Sequence, residues 1–265
     1  MTIAGSDTCA GAGIQADLKT ISALGGYGLT VVTALTAQNT RGVTAVLEMP
    51  PWFIKSQLDA IFEDIRIDAV KIGMLGGSAA IKTVASYLAP LRLPLVLDPV
   101  MVAKSGDRLL EPSAVEVLKE QLLPLATVIT PNLHETEELT GNSIDGLDNM
   151  VTACRQLLGW GIPWVVIKGG HLPEEPVDVI GHGENISLFK RRRVGGNNNH
   201  GTGCTYSSAI ATGIARGLDV YEAISRAREY IQDALENGFA IGEGVGILGH
   251  FAGLYQENNW RGDKC

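Results

Sequence analysis

Cysteine is scarce and dispersed. Cys9, Cys154, Cys204 and Cys265 form no Cys-x-x-Cys pair and no Cys/His spacing suited to zinc. That excludes a disulfide-stapled scaffold or zinc module as the organising principle and makes a reducing cytoplasm the default setting. Positive charge is also short: 21 Lys and Arg against 29 Asp and Glu leave a net charge of −8. Such a balance does not suit nucleic acid or an anionic membrane as partner. Long apolar runs are missing as well. The uncharged stretch from Thr20 to Thr40 is broken by Gly25, Gly26 and Gly28, and Asp7 interrupts any signal-peptide core. There is no internal repeat, no low-complexity tract, no Pro/Ser-rich linker and no GxxxxGK[ST] motif, so an ordinary P-loop NTPase is excluded.

What remains is a chain of 265 residues, 45% hydrophobic and 19% charged, able to bury one sizeable core. Helical and strand periods alternate along it. Ile14, Leu18 and Ile21 share a helical face that stops at Gly25-Gly26, and Leu29 to Ala37 reads as a strand. Short apolar runs at Ala69–Ile72, Pro94–Leu97, Val128–Thr130 and Trp164–Ile167 are separated by amphipathic segments. Strands buried on both faces and alternating with helices predict a mainly parallel sheet between two helical layers, one domain over residues 1–265. Val177–Ile180 and Ile186–Lys190 flank a glycine turn and predict an antiparallel hairpin at one edge. Met1–Ala4 gives the first strand little length, and the polar tail 256–265 is expected to fray.

Ligands of open α/β sheets sit beyond the carboxyl ends of the strands. There the sequence places Gly5-Ser6-Asp7 followed by Gly11-Ala12-Gly13, then Asp98-Pro99, Asn132 with Glu135 one turn on, and Lys168-Gly169-Gly170-His171. His200-Gly201-Thr202-Gly203-Cys204 precedes the charge-free run Thr205 to Ala215, a buried helix by composition. Glycines opening a helix leave N–H groups that converge on an anion. Two acids, a lysine and this turn on one edge suit a phosphate–magnesium site. Lys190-Arg191-Arg192-Arg193, at the end of the hairpin, reads as a solvated strand end or a cluster near a nucleotide.

Gly11–Lys19, Ala37–Val43, Lys71–Leu75, Asp98–Gly106, Lys168–His171 and His200–Cys204 resemble, in order, the motifs of the hydroxymethylpyrimidine/phosphomethylpyrimidine kinases of thiamine biosynthesis. The resemblance covers nearly the whole chain. It implies a ribokinase-like three-layer αβα sandwich and ATP-dependent phosphorylation of a hydroxymethylpyrimidine, then of its monophosphate. It implies that Gln38 reads the aminopyrimidine, with Gly5, Asp17, Met74 and Val100 around the ring. Taken singly, Gln38 is a strand-end cap, Asp17 an exposed helix carboxylate and Met74 core filler. Asp98 and Glu135 then hold Mg2+, Asn132 and Lys168 meet ATP, and Gly201, Thr202 and Gly203 form the anion turn. Lys104 is a weaker phosphate contact. Cys204 stands where most ribokinase-like enzymes carry an Asp general base, and a helix N-terminus is expected to lower its thiol pKa. A homodimer is also implied. The sequence departs from the family at Asn199, commonly Thr, and at Cys9 and Ala10. Two other readings of the same pattern are a pyridoxal-type vitamin kinase and a non-catalytic sensor of the pyrimidine.

Overall fold

The computed structural model describes residues 1–102, 110–170 and 176–257, with side chains to residue 254. Lys104, His171 and residues 258–265 lie outside the described residues. In chain order the elements are β1 (Thr2–Asp7), α1 (Gly13–Ala23), β2 (Thr30–Asn39), β3 (Gly42–Glu48), α2 (Pro51–Phe62), β4 (Val70–Ile72), α3 (Ser78–Leu88), β5 (Leu95–Leu97) and α4 (Pro112–Gln121). Then follow β6 (Val128–Ile129), α5 (Leu133–Thr140), α6 (Leu147–Gly159), β7 (Trp164–Ile167), β8 (Val177–His182), β9 (Asn185–Lys190), α7 (Thr202–Ala215), α8 (Val220–Glu236) and α9 (Ala252–Glu257).

One sheet runs in the order β3-β2-β1-β4-β5-β6-β7-β8-β9. From β2 to β7 every neighbour is parallel. The expected hairpin is present as β8–β9. The opposite edge is antiparallel too, because β3 folds back on β2 through Asn39–Gly42, a pairing the sequence reading did not foresee. The first strand is also longer than expected: Gly5, Ser6 and Asp7 continue β1 rather than leaving it.

The period of two divides the core. In β5, Leu95 and Leu97 join the apolar cluster under α2, α3, α4 and α6, while Val96 joins the cluster under α7 and α8. Val165 and Ile167 against Val166 repeat the alternation in β7. Strands of two to four residues therefore persist because both faces are buried. Among the described residues no helix is long and apolar enough to cross a membrane.

Candidate active site

A cavity of about 660 Å³ opens over the carboxyl ends of the parallel strands. Gly5, Gln38, Met74, Val100, Asp98, Asn132, Glu135, Lys168, Gly201, Thr202, Gly203 and Cys204 all line it. Of the residues that the resemblance assigns to substrate, ATP, metal or catalysis and that lie within the described residues, Asp17 alone does not line it.

Asp17 is neither exposed nor turned to a ligand. It is fully buried on α1, with both carboxylate oxygens 2.9 Å from Lys71 Nζ. Thr2 Oγ1 donates to it at 2.6 Å and Ser208 Oγ at 2.7 Å. Its acceptor capacity is thus committed beneath the site floor, where it joins β1, β4, α1 and α7. Asp17 lies one turn from Ile21 on a buried helical face, which carries the carboxylate into the protein rather than toward the cavity.

The first loop is closed on its own carboxylate. Its amides do not await an anion, because Asp7 accepts from Cys9, Gly11 and Ala12 N–H at 2.8, 3.0 and 2.8 Å. Burial alone would raise the Asp7 pKa; the bonds from His200 and the loop amides outweigh it and lower the pKa. His200 Nε2 stands 2.9 Å from Asp7 Oδ2 and 3.3 Å from Gln38 Nε2. A proton on that ring nitrogen donated to Asp7 leaves it no lone pair for Gln38. Thr36 Oγ1 stands 3.3 Å from Gln38 Oε1 but has its one proton nearer the Ser6 carbonyl, at 3.0 Å, so the hydrogen-bonding capacity of the Gln38 amide is available to a ligand. The sequence reading missed this Asp7–His200 pair because its members are 193 residues apart. Gly5 completes this end: a Cβ there would stand 3.2 Å from Met74 Sδ.

At the other end Lys168, nearly buried, lies 2.6 Å from Asp98 Oδ1 and 3.9 Å from Glu135 Oε2. Thr130 Oγ1 donates to the same Asp98 oxygen at 3.0 Å. Burial, with the Asp98 charge, pushes the Glu135 carboxyl up to about 7 against the pull of Lys168. Asn132 and Glu135 form a reciprocal capping box at the start of α5, Asn132 Oδ1 accepting from Glu135 N at 2.8 Å and Glu135 Oε2 from Asn132 N at 2.7 Å. The cap occupies Asn132 Oδ1, so its Nδ2–H donors are the part suited to phosphate oxygens.

The glycine turn brings the two ends together. Gly201 caps α7 at φ +83°, and a side chain there would enter the Gly11 carbonyl. A Cβ on Gly203 would stand 3.0 Å from Asp98 Oδ2 and 3.1 Å from Lys168 Nζ. The opening turn of α7 thus lies directly against the acid–lysine pair, with its first N–H groups lacking helical acceptors. Cys204, half-buried, follows. Its expected low pKa is corrected by its surroundings: burial pushes the thiol up to about 11, Lys71 opposing and Asp17 and Asp98 reinforcing the shift. The helix terminus does not outweigh desolvation, so Cys204 is a neutral thiol near pH 7 in this state.

The donor set around Asp98 and Glu135 is composed of hard carboxylate oxygens in the cavity wall, a fit for Mg2+ completed by phosphate oxygens and water. Among the described residues a further donor set converges, Asp7, Cys9 and His200 within 4.8 Å. Asp7 there is already spent on loop amides and His200.

A nine-stranded sheet between two helical layers, an anion turn opening a buried helix and a carboxylate–lysine pair define a small-molecule phosphotransferase of the ribokinase-like class. The profile of the phosphomethylpyrimidine kinase family matches residues 7–249, and the chain belongs to that family. A hydroxymethylpyrimidine/phosphomethylpyrimidine kinase of Streptomyces coelicolor is 45% identical over 250 residues, 94% of this chain and 93% of that one. The chain spans about half, 51%, of the Geobacter sulfurreducens thiamine biosynthesis bifunctional protein ThiED, at 48% identity over 94% of its own length. In structure it is similar to the Bacillus subtilis pyridoxal kinase solved with ADP, with a TM-score of 0.89 and 39% identity over 95% of this chain and 96% of that one. A Clostridium difficile phosphomethylpyrimidine kinase aligns with a TM-score of 0.79 and 45% identity, covering 88% and 97%.

Proposed function

We propose that this chain transfers the γ-phosphoryl group of ATP to 4-amino-5-hydroxymethyl-2-methylpyrimidine and then phosphorylates the monophosphate to the diphosphate. One observation carries the reading: the amide of Gln38 and the opening turn of α7 face the same cavity, beside the Lys168–Asp98 pair. An amide offers donor and acceptor side by side, matching the exocyclic amine and adjacent ring nitrogen of an aminopyrimidine. Met74, Gly5 and Val100 supply the apolar enclosure of the ring.

The attacking hydroxymethyl oxygen forms a bond to the γ-phosphorus while the bond to ADP breaks, and negative charge accumulates on the leaving oxygens. Lys168 and the N–H groups of Gly201 and Gly203 meet that charge without reorganising, while the Thr202 N–H is turned to the Asn199 carbonyl at 3.4 Å. Asp98 and Glu135 would hold Mg2+, which supplies Lewis-acid neutralisation of the phosphates when bound. Turnover measured by ADP release with the hydroxymethylpyrimidine tests the reading. Its absence alongside turnover of pyridoxal would favour the pyridoxal-kinase reading, which the likeness to the Bacillus subtilis enzyme keeps in view. A non-catalytic sensor would bind the pyrimidine and release no ADP.

Gln38→Leu should weaken pyrimidine binding by about 1–3 kcal/mol, since the ring's polar edge loses its partner. ADP binding should stay within twofold, and calorimetry of both ligands checks it. Equal losses would make Gln38 a support of the fold.

A homodimer in a reducing cytoplasm completes the proposal. Leu35 and Leu47, register partners on β2 and β3, are 45% and 63% exposed, and Trp52 on α2 is exposed as well, which supports a covered edge. A monomer mass by light scattering at micromolar concentration would remove that part. Cys9, Cys154 and Cys204 are free thiols, in keeping with the reducing setting.

A further inference from the structure

We propose that Arg191 is a nucleotide-binding residue, its guanidinium held by Asp178 in the cavity wall to meet the phosphates of the donor. The basic run 190–193 is not uniformly solvated. Arg192 is 77% exposed and pairs with Glu236 across the surface, whereas the Arg191 side chain is 8% exposed and turned inward. Its Nη2 donates at 2.8 Å to Oδ1 of Asp178, a fully buried carboxylate on β8. The same oxygen accepts from Gly169 N–H at 3.2 Å, the residue next to Lys168. One carboxylate therefore fixes both the guanidinium and the turn that carries the phosphate-neutralising lysine.

Charge and hydrogen bonding show that the cluster is incomplete. Arg228 Nε lies 4.0 Å from the other Asp178 oxygen, so two guanidinium groups share the one carboxylate with which either is paired among the described residues. One positive charge is left over at the wall. Arg191 Nε and Tyr206 Oη are buried without a hydrogen-bond partner, as are Asp178 Oδ2 and Arg228 Nε behind them, and of these four residues Arg191 and Tyr206 line the cavity, together with Gly170. Buried donors without acceptors are rare in finished structure. Guanidinium has no acceptor atom, and it matches the forked oxygens of a phosphate. An anion with several oxygens completes the cluster, and the donor's polyphosphate is the one the proposed reaction brings. A free surface ion pair would have been solvated like Arg192.

The inference rests on the kinase reading, so the experiment measures binding apart from turnover. ADP, adenosine and the hydroxymethylpyrimidine are titrated by calorimetry into the parent, Arg191→Gln and Arg191→Lys. Arg191→Gln should weaken ADP at least tenfold while adenosine and the pyrimidine stay within twofold. Arg191→Lys, which keeps charge but loses the fork, should weaken ADP at least threefold and serves if the first variant melts early. ADP affinity within twofold of the parent in a folded variant overturns the proposal, as does a loss shared equally by all three ligands. A parent that binds ADP but leaves the pyrimidine unphosphorylated would overturn the kinase reading instead.

Discussion

Lys71→Met should destabilise the fold by about 3–5 kcal/mol, because it strands a buried carboxylate without its cation. Lys71 sits in the middle of β4 and is fully buried, as is Asp17. Burial alone would lower the lysine pKa, but Asp17 holds it above the ordinary range, so the ammonium form persists. A raised lysine pKa contributes stability that is present below the unfolded value and lost only as pH rises through the folded one, beyond the working range. The melting temperature should accordingly fall by on the order of 10 °C across pH 6–8. Lys71→Met with Asp17→Leu should recover much of that loss, since two apolar groups leave no unpaired charge. Recovery should be incomplete, because the hydroxyls of Thr2 and Ser208 lose their acceptor. Thermal melts of both variants check this. A single variant as stable as the parent, or a double variant worse than the single, would mean that Lys71 does not compensate Asp17.

That buried pair also marks what could be read from the sequence. Lysine inside Val70–Ile72, a run assigned to a strand covered on both faces, already requires a buried partner. Asp17 shares a helical face with Ile21, so the same periodicity that identified α1 held the signal for its burial. Asp98, Asn132 and Lys168 were legible because strand ends in a parallel sheet converge on one edge, whatever lies between them. The Asp7–His200 pair was not, because β1 and the loop before α7 meet only through the fold. The hairpin β2–β3 had a turn signal in Asn39-Thr40-Arg41-Gly42, but its strand faces solvent on most positions and lacks the apolar run that marks the central strands. For Arg191 the run 190–193 left two readings open, a solvated strand end or a cluster near a nucleotide, and nothing local distinguishes the member that turns inward.

The desolvated state of Cys204 changes what its substitution should reveal. With the thiol pushed up to about 11, the thiolate is a minor species at pH 7 and gains tenfold for each pH unit below that value. If the thiolate accepts the hydroxymethyl proton, the first phosphorylation in the parent should accelerate with pH between about 8 and 10, above the ionisation of Glu135 at about 7 that both steps share. The second should be nearly flat there, because a phosphate monoester is already largely ionised near pH 7. Cys204→Ala should slow the first step by roughly 10²-fold, the lower end of general-base effects, and abolish its pH slope. The second step should change by less than about threefold, a figure set by the lysine and anion turn that remain. Single-turnover rates of both steps across that pH range, with folding checked by thermal melt, separate the outcomes. A first step already flat with pH in the parent, or two steps slowed alike by Cys204→Ala, would mean that the residue only packs the start of α7. Lys71 offers a second control, since it is the cation opposing the upward shift of the thiol. A folded Lys71→Met/Asp17→Leu variant removes both neighbouring charges, which act on Cys204 in opposite directions, and should leave the slope in place.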